Sequence, residues 1–285
     1  MTISAKLLKR CVNNPVQKLN WTYRQITWHS RALPDLIIIG AQKSGTSSMY
    51  KYLCQHPQII PSYKKEVHYF DGGLNPNENN YEKGLKWYRA HFPLKKLMGV
   101  HKRTFEASPL YIFNPLVPKR IYHILPNVKL IAILRNPTER AISHYFHEKR
   151  GGYEKLPIME ALKEEEKRLK YVISDKEYRS DVFIHYSYKK RGLYKEQIER
   201  YLKYFNLQHF IILSSEEFFS EPGKTLRQVF RFIGVDQEFI VNDLNPINVG
   251  TNKRKVEPSV YKYLSDYFLP HNKELYNLLG KRFDW

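Results

Sequence analysis

Cysteine is nearly missing from this 285-residue chain, which holds only Cys11 and Cys54. Two cysteines cannot build a disulfide framework, and neither sits at a metal-ligand spacing, so disulfide-scaffold and zinc-ribbon classes are excluded. Long apolar runs are scarce too. Leu36–Ile39 and the stretch Val128–Leu134 are strand-sized, well short of the roughly 18 apolar residues of a membrane span. Met1–Asn20 carries Lys6, Lys9, Arg10 and Lys18 without an apolar stretch, and so does not read as a secretory signal. No internal repeat or low-complexity tract is visible. These shortages predict a reducing, cytoplasmic setting.

Acidic residues are the third shortage. Asp and Glu number 28 against 47 Lys and Arg, a formal net charge of +19. Such an excess points to an anionic partner: nucleic acid, an acidic lipid surface, a sulfated polymer or a polyphosphorylated cofactor. A solvated, solubilising surface would look the same, so charge alone does not choose. What the chain has in quantity is core material, with 42% hydrophobic and 14% aromatic residues. That is ample for a packed interior, and the length fits one elaborated domain.

Residues 1–32 mix basic and aromatic side chains and read as a basic, amphipathic, partly helical arm. It is expected to pack on the domain or lie on a membrane surface. From residue 33 to 285 the pattern is α/β. Strands are predicted at Leu36–Ile39, Leu97–Glu106, Lys129–Leu134 and Phe210–Leu213, and an extended segment at Glu66–Asp71. Helices are predicted near 47–55, 81–91, 117–124, 137–149, 157–172, 189–205, 215–220, 222–233 and 258–280, with a loop-like stretch at 235–257. Strands alternating with helices of this length predict a single domain with a parallel, doubly wound sheet flanked by helices.

Two strand–loop–helix junctions stand out. Gly40-Ala41-Gln42-Lys43-Ser44-Gly45-Thr46-Ser47-Ser48 follows a buried strand and opens a helix. Such a junction offers free backbone N–H groups and a positive dipole end to a phosphate. Gly40 and Gly45 permit the turn, Lys43 supplies charge, and Thr46 to Ser48 add hydroxyl donors. A Walker A loop needs Lys directly after its second Gly, where this chain has Thr46. The cradle is P-loop-like with its Lys aimed differently. The second junction is Ile131–Tyr145. Arg135 sits at the carboxyl edge of the sheet, where open α/β folds bind ligands, and Ser143 follows about two helical turns on. A strand-capping Arg and a surface Ser would give the same pattern. In an extended segment, alternation would also place Glu66 and His68 on one face. Glu66 then reads either as a base or as a surface carboxylate paired with Lys64 or Lys65.

With these residues in place the chain resembles the sulfotransferases that use 3′-phosphoadenosine 5′-phosphosulfate (PAPS), above all the branch containing the heparan sulfate enzymes. The resemblance runs from about Leu33 to Trp285. It takes in Lys65–Asp71, Glu106–Tyr111 and the closing Phe283-Asp284-Trp285. It implies that Gly40, Gln42, Lys43, Ser44, Gly45, Thr46 and Ser47 hold the 5′-phosphosulfate, and that Arg135 and Ser143 hold the 3′-phosphate. Lys253 and Arg254 would belong to a loop closing over the nucleotide. By the same resemblance Glu66 is the catalytic base and Asp71 binds the acceptor. Lys43, a compact ammonium, would stabilise charge on the leaving phosphate, and His68 would orient Glu66, touch the donor or fill a core position. The acceptor would be sugar-like or otherwise polyhydroxylated, sulfated on a hydroxyl or an amine. No metal and no nucleic acid are expected, and peripheral membrane contact through the arm is. Two departures stand. Ala107 occupies a position where the glycosaminoglycan enzymes have Lys, and the family's disulfide near the nucleotide loop is absent. The competing readings are a P-loop nucleotide kinase and a non-enzymatic basic polyanion-binding protein.

Overall fold

The computed structural model describes residues 15–247 and 256–285. Five short apolar segments form the sheet: β1 Leu36–Gly40, β2 Ile59–Pro61, β3 Arg103–Ala107, β4 Lys129–Leu134 and β5 Phe210–Ser214. They run in the order β2-β3-β1-β4-β5, and every adjacent pair is parallel. All five residues of β1 are buried, because parallel sheets are covered on both faces and their strands read as continuous apolar runs. The two-residue period divides those runs between the faces. Ile37, Ile39, Leu130, Ala132 and Leu134 feed one core, while Leu36, Ile38, Ile131, Ile133 and Leu213 feed the other.

The helices are α1 Pro15–Ile26, α2 Thr46–Leu53, α3 Gly84–Ala90, α4 Val117–Ile124, α5 Pro137–Gly151, α6 Ile158–Ser174, α7 Asp181–His185, α8 Tyr194–Leu202, α9 Ser215–Ser220, α10 Pro222–Ile233 and α11 Pro258–Leu279. Helices α4 and α8 cover the first core, with Val117, Ile121, Ile198 and Tyr201. Helices α2 and α10 cover the second, with Met49, Leu53, Leu226 and Val229. A third cluster joins α5, α6 and α11 through Ile142, Leu162, Leu264 and Phe268. The result is the expected single α/β domain with a parallel sheet between helices.

Several boundaries differ from expectation. Strand β3 starts at Arg103, not Leu97. A 3-10 turn spans Lys95–Leu97, and Gly99 takes a positive φ of 57°, so the chain cannot extend until Arg103 N–H reaches the Gln58 carbonyl at 2.8 Å. The edge strand β2 was not expected, nor was the single turn α7. The segment 66–71 is not extended: Glu66 and His68 have φ of 60° and 51°. The predicted 189–205 helix divides into a 3-10 turn at Lys190–Gly192 and α8. Helix α1 is docked on the body. Its Trp21 ring lies 4.7 Å from that of His91, and Arg24 Nε donates to the Ala90 carbonyl at 2.8 Å. Among the described residues no helix is long and apolar enough to cross a membrane.

Candidate active site

The loop between β1 and α2 is built by its backbone. A Cβ on Gly40 would lie 2.8 Å from the Pro109 carbonyl oxygen and against the Ile112 side chain. The sheet edge and the 109–112 turn therefore close around a residue that must be glycine. Lys43 is turned into the left-handed region with φ 72°, and Gly45, at φ 96°, leads into α2 without any side-chain cap. First-turn amides of a helix have no intrahelical acceptor, so they remain available to an anion. Gln42 is fixed from outside the loop: its Oε1 accepts from buried Arg191, whose Nε donates to Ser187 Oγ at 2.8 Å. Burial pulls the Arg191 guanidinium down to about 9, and nearby Arg140 adds to the effect.

At the end of β4, Arg135 reaches back to this loop. Its Nη1 donates to the Lys43 carbonyl at 3.0 Å, and its Nη2 pairs with Glu139 at 3.2 Å. The Asn136 side chain accepts from Thr138 N–H at 3.0 Å, capping α5 and aiming the helix that carries Ser143. Burial lowers the Lys43 ammonium from its usual value, and Arg150 and Arg135 add to that. The cations thus lean on one another and favour an incoming anion.

The third wall is the segment after β2, held by cross-strand hydrogen bonds to the end of β3. Ser62 N–H donates to the Phe105 carbonyl at 2.8 Å, Glu66 N–H to that of Ala107 at 3.1 Å, and His68 N–H to Ser108 Oγ at 3.1 Å. Glu66 and His68 come together despite the lack of an extended strand, because this pinning replaces alternation. The His68 ring bridges two carboxylates: Nδ1 lies 2.6 Å from Asp71 Oδ2 and Nε2 lies 3.6 Å from Glu66 Oε2. Burial works against charge on His68, but Asp71 and then Glu66 overcome it and raise the imidazole to about 10. Burial likewise works to raise Glu66, yet His68 and Lys65 hold it at about 2. Behind them, Glu106 is fully buried and pushed up to about 7, despite hydrogen bonds from Tyr88 Oη at 2.6 Å and Ser108 Oγ at 2.9 Å.

One cavity of about 1280 Å³ gathers these walls. Gln42, Lys43, Gly45, Thr46 and Ser47 line it together with Glu66, His68, Arg135 and Ser143. Gly40, Ser44 and Asp71 do not line it. Gly40 is the hinge behind the loop, Ser44 is buried beneath it, and Asp71 stands behind His68. Lys253 and Arg254 lie outside the described residues. Ala107 is buried and contributes its carbonyl to Glu66, so no side chain there reaches the cavity.

Sequence reasoning gave no role to Arg191 or Glu148, offered Lys65 only as a surface partner of Glu66, and noted Glu106 only as the start of the 106–111 segment. Lys65 Nζ bridges Ser47 Oγ and Glu66 Oε1, both at 2.8 Å, and so ties the loop after β1 to the segment after β2. Arg191 left no local signal, since it acts across 149 positions. Glu106 reads as an ordinary strand residue. Glu148 sits one turn after His144 and pairs with it at 3.1 Å and with His185 at 2.7 Å. That i, i+4 spacing was legible.

Comparison with known proteins agrees with this geometry. Residues 33–285 match the family described as the sulfotransferase domain. The mouse protein named heparan sulfate glucosamine 3-O-sulfotransferase 5 is 29% identical, over 100% of this chain and 84% of its own length. The human heparan sulfate glucosamine 3-O-sulfotransferase 6 is 29% identical, over 90% of this chain and 74% of its own. A solved sulfotransferase from Alicyclobacillus acidocaldarius superposes with a TM-score of 0.67 at 30% identity, covering 88% of this chain and 98% of that one. These findings set aside the kinase and the polyanion-binding protein. The chain belongs to the sulfotransferase domain family and is an enzyme, a sulfotransferase.

Proposed function

We propose that the donor is PAPS and that the acceptor is a hydroxyl on a glucosamine unit of a heparan sulfate-like polysaccharide. The observation that carries this reading is one cavity lined both by Glu66 and His68, with Asp71 behind them, and by the cationic Lys43 loop. A cavity of about 1280 Å³ has room for a nucleotide and part of a sugar chain. The glucosamine acceptor is supported by the names of the two mammalian relatives.

PAPS supplies the sulfuryl group and departs as the 3′,5′-bisphosphate. Lys43 and the first-turn amides of α2 hold the 5′ phosphosulfate, while Arg135 and Ser143 hold the 3′-phosphate that separates this nucleotide from AMP. Glu66 accepts the acceptor proton as the new S–O bond forms and the bond to the 5′-phosphate breaks. Charge then appears on the leaving phosphate oxygen, where Lys43 stabilises it. Positioning matters as much as charge, because the attacking and leaving oxygens must lie in line. The low pKa keeps Glu66 ionised at neutral pH but makes it a weak base. It therefore works on a proton that moves late, once bonding to sulfur has acidified the acceptor oxygen. His68 holds Glu66 in place, and Asp71 holds His68.

The test uses ³⁵S-labelled PAPS and heparan oligosaccharides that carry both N-sulfated and unsubstituted glucosamine and lack 3-O-sulfate, with the label located by mass spectrometry. Calorimetry with the bisphosphate and AMP accompanies it. Label on a glucosamine hydroxyl and tighter binding of the bisphosphate are expected. Label on an amine would move the reaction to N-sulfation, and equal binding of the two nucleotides would remove the 3′-phosphate assignment.

A further inference from the structure

Two segments of this chain contain no acidic residue at all. Residues 15–34 carry Lys18, Arg24 and Arg31, and residues 83–105 carry seven Lys and Arg, without one Asp or Glu. The fold brings them together. Arg31 and Leu94 form an antiparallel bridge, Ala32 N–H donates to the Pro93 carbonyl at 2.9 Å, and Arg24 Nη2 donates to the Phe92 carbonyl at 3.0 Å. Tyr23 and Leu97, one from each segment, line the same shallow cleft.

The joint face is also apolar. Helix α1 turns Trp21 and Arg24 to the body, so a helical period of 3.6 residues leaves Leu19, Tyr23 and Ile26 on the outer side. Leu19 is 72% and Ile26 66% exposed, and on the neighbouring loop Leu97 is 54% and Val100 83% exposed. Lys18, Lys95, Lys96 and Lys102 of the same two segments are exposed as well. Asp35, the first carboxylate after the arm, already accepts from Thr104 N–H at 2.7 Å.

We propose that this face docks on an anionic lipid bilayer, with the aliphatic side chains entering the headgroup boundary and the lysines meeting acidic headgroups. Exposed aliphatics and lysines presented together by a surface helix and the loop beside it are the pattern of interfacial binding. A sulfated polysaccharide would satisfy the lysines and leave Leu19, Ile26, Leu97 and Val100 in water, which makes it the poorer fit. None of these side chains lines the active-site cavity, so a bilayer held here leaves the cavity free for its substrates. The inference does not depend on the donor or acceptor assigned above.

The experiment is co-sedimentation of the full chain with phosphatidylcholine vesicles, with and without phosphatidylserine. Binding is expected only with phosphatidylserine present. The Lys95→Glu/Lys96→Glu variant should bind at least about 20-fold more weakly, since each lysine near an acidic surface contributes roughly fivefold. The Leu19→Gln/Ile26→Gln variant should bind at least about tenfold more weakly, with circular dichroism and turnover on a soluble acceptor unchanged. No binding to either vesicle would overturn the proposal. So would binding that ignores Leu19→Gln/Ile26→Gln and is fully competed by heparin, because that describes attraction to any polyanion.

Discussion

The loops after β1 and after β2 form two walls of one cavity, yet they are shaped by different means. The first is a backbone structure. Gly40 fits against Pro109 and Ile112, and Gly45 opens α2 without a cap. The second is held by side chains and cross-strand bonds. Two non-glycine residues take positive φ, and Ser108, Tyr111 and the Ala107 carbonyl hold the amides of His68, Tyr69 and Glu66. One wall presents cations and open amides, and the other a carboxylate steadied by an imidazolium. A wall made of backbone should fail when a Cβ is added, and a wall made of side chains when a functional group is exchanged at constant shape.

The largest expected effect is on the second wall. Glu66→Gln keeps the shape but cannot take a proton. Turnover should fall roughly 10²–10⁴-fold while PAPS affinity stays near that of the parent. Retained turnover would place the base elsewhere. Loss of nucleotide binding together with the fold would make Glu66 structural and erase the distinction between the walls.

Gly40→Ala tests the first wall. Its Cβ would meet a backbone oxygen at 2.8 Å, and backbone cannot step aside as a side chain can. Overpacking of this kind costs typically about 1–3 kcal/mol, and the φ of 154° adds strain for any L side chain. Denaturant unfolding should show a loss of about 3 kcal/mol. A neutral result would mean that the 109–112 turn yields, and that the loop is less rigid than its packing.

The contrast also explains what the sequence disclosed. The first wall was legible because each step is local: an apolar strand, a glycine turn, a helix start. Strands β1, β4 and β5 and helices α4, α9 and α10 fell within a residue or so of expectation for the same reason. The second wall was legible only in its residues. Glu66, His68 and Asp71 were singled out, but the extended backbone assigned to them was wrong, since their conformation is dictated by partners 40 or so positions away. Arg191, acting on Gln42, was invisible on that account, as was the buried role of Glu106 behind Ser108.

Arg135→Ala probes the point where the cationic wall meets the end of β4. The free guanidinium already holds the Lys43 carbonyl and Glu139, so the variant loses both a loop contact and a phosphate donor. Calorimetry should show the bisphosphate weakened by about 1.5–3 kcal/mol, the range for hydrogen bonds to charged groups, with AMP weakened less. Equal weakening of both nucleotides would assign Arg135 to loop geometry and not to the 3′-phosphate.

The smallest effect should come from Lys65, the strut between the walls. Its ammonium touches Ser47 Oγ and Glu66 Oε1, but Lys65 is 30% and Glu66 38% exposed at the side chain. Ion pairs this open contribute about 0–1 kcal/mol. Lys65→Met should therefore change stability by less than about 1 kcal/mol. The acid side of the stability profile should show what it does. A carboxyl held near 2 against an ordinary 4.5 adds stability that is fully present above 4.5 and is lost as pH falls toward 2. Removing Lys65 should shrink that contribution without abolishing it, because the charge of His68, 3.6 Å from Glu66 Oε2, also holds the carboxyl down. His68 behaves oppositely. Raised to about 10, its charge adds stability below 6.5 that is lost as pH rises through 10, and Lys65→Met should leave that limb untouched. Carbon-13 NMR of the Glu66 carboxyl reads both. If Lys65→Met moves the carboxyl up to its ordinary value, the strut and not the imidazolium orders the second wall, and the two walls act as one unit.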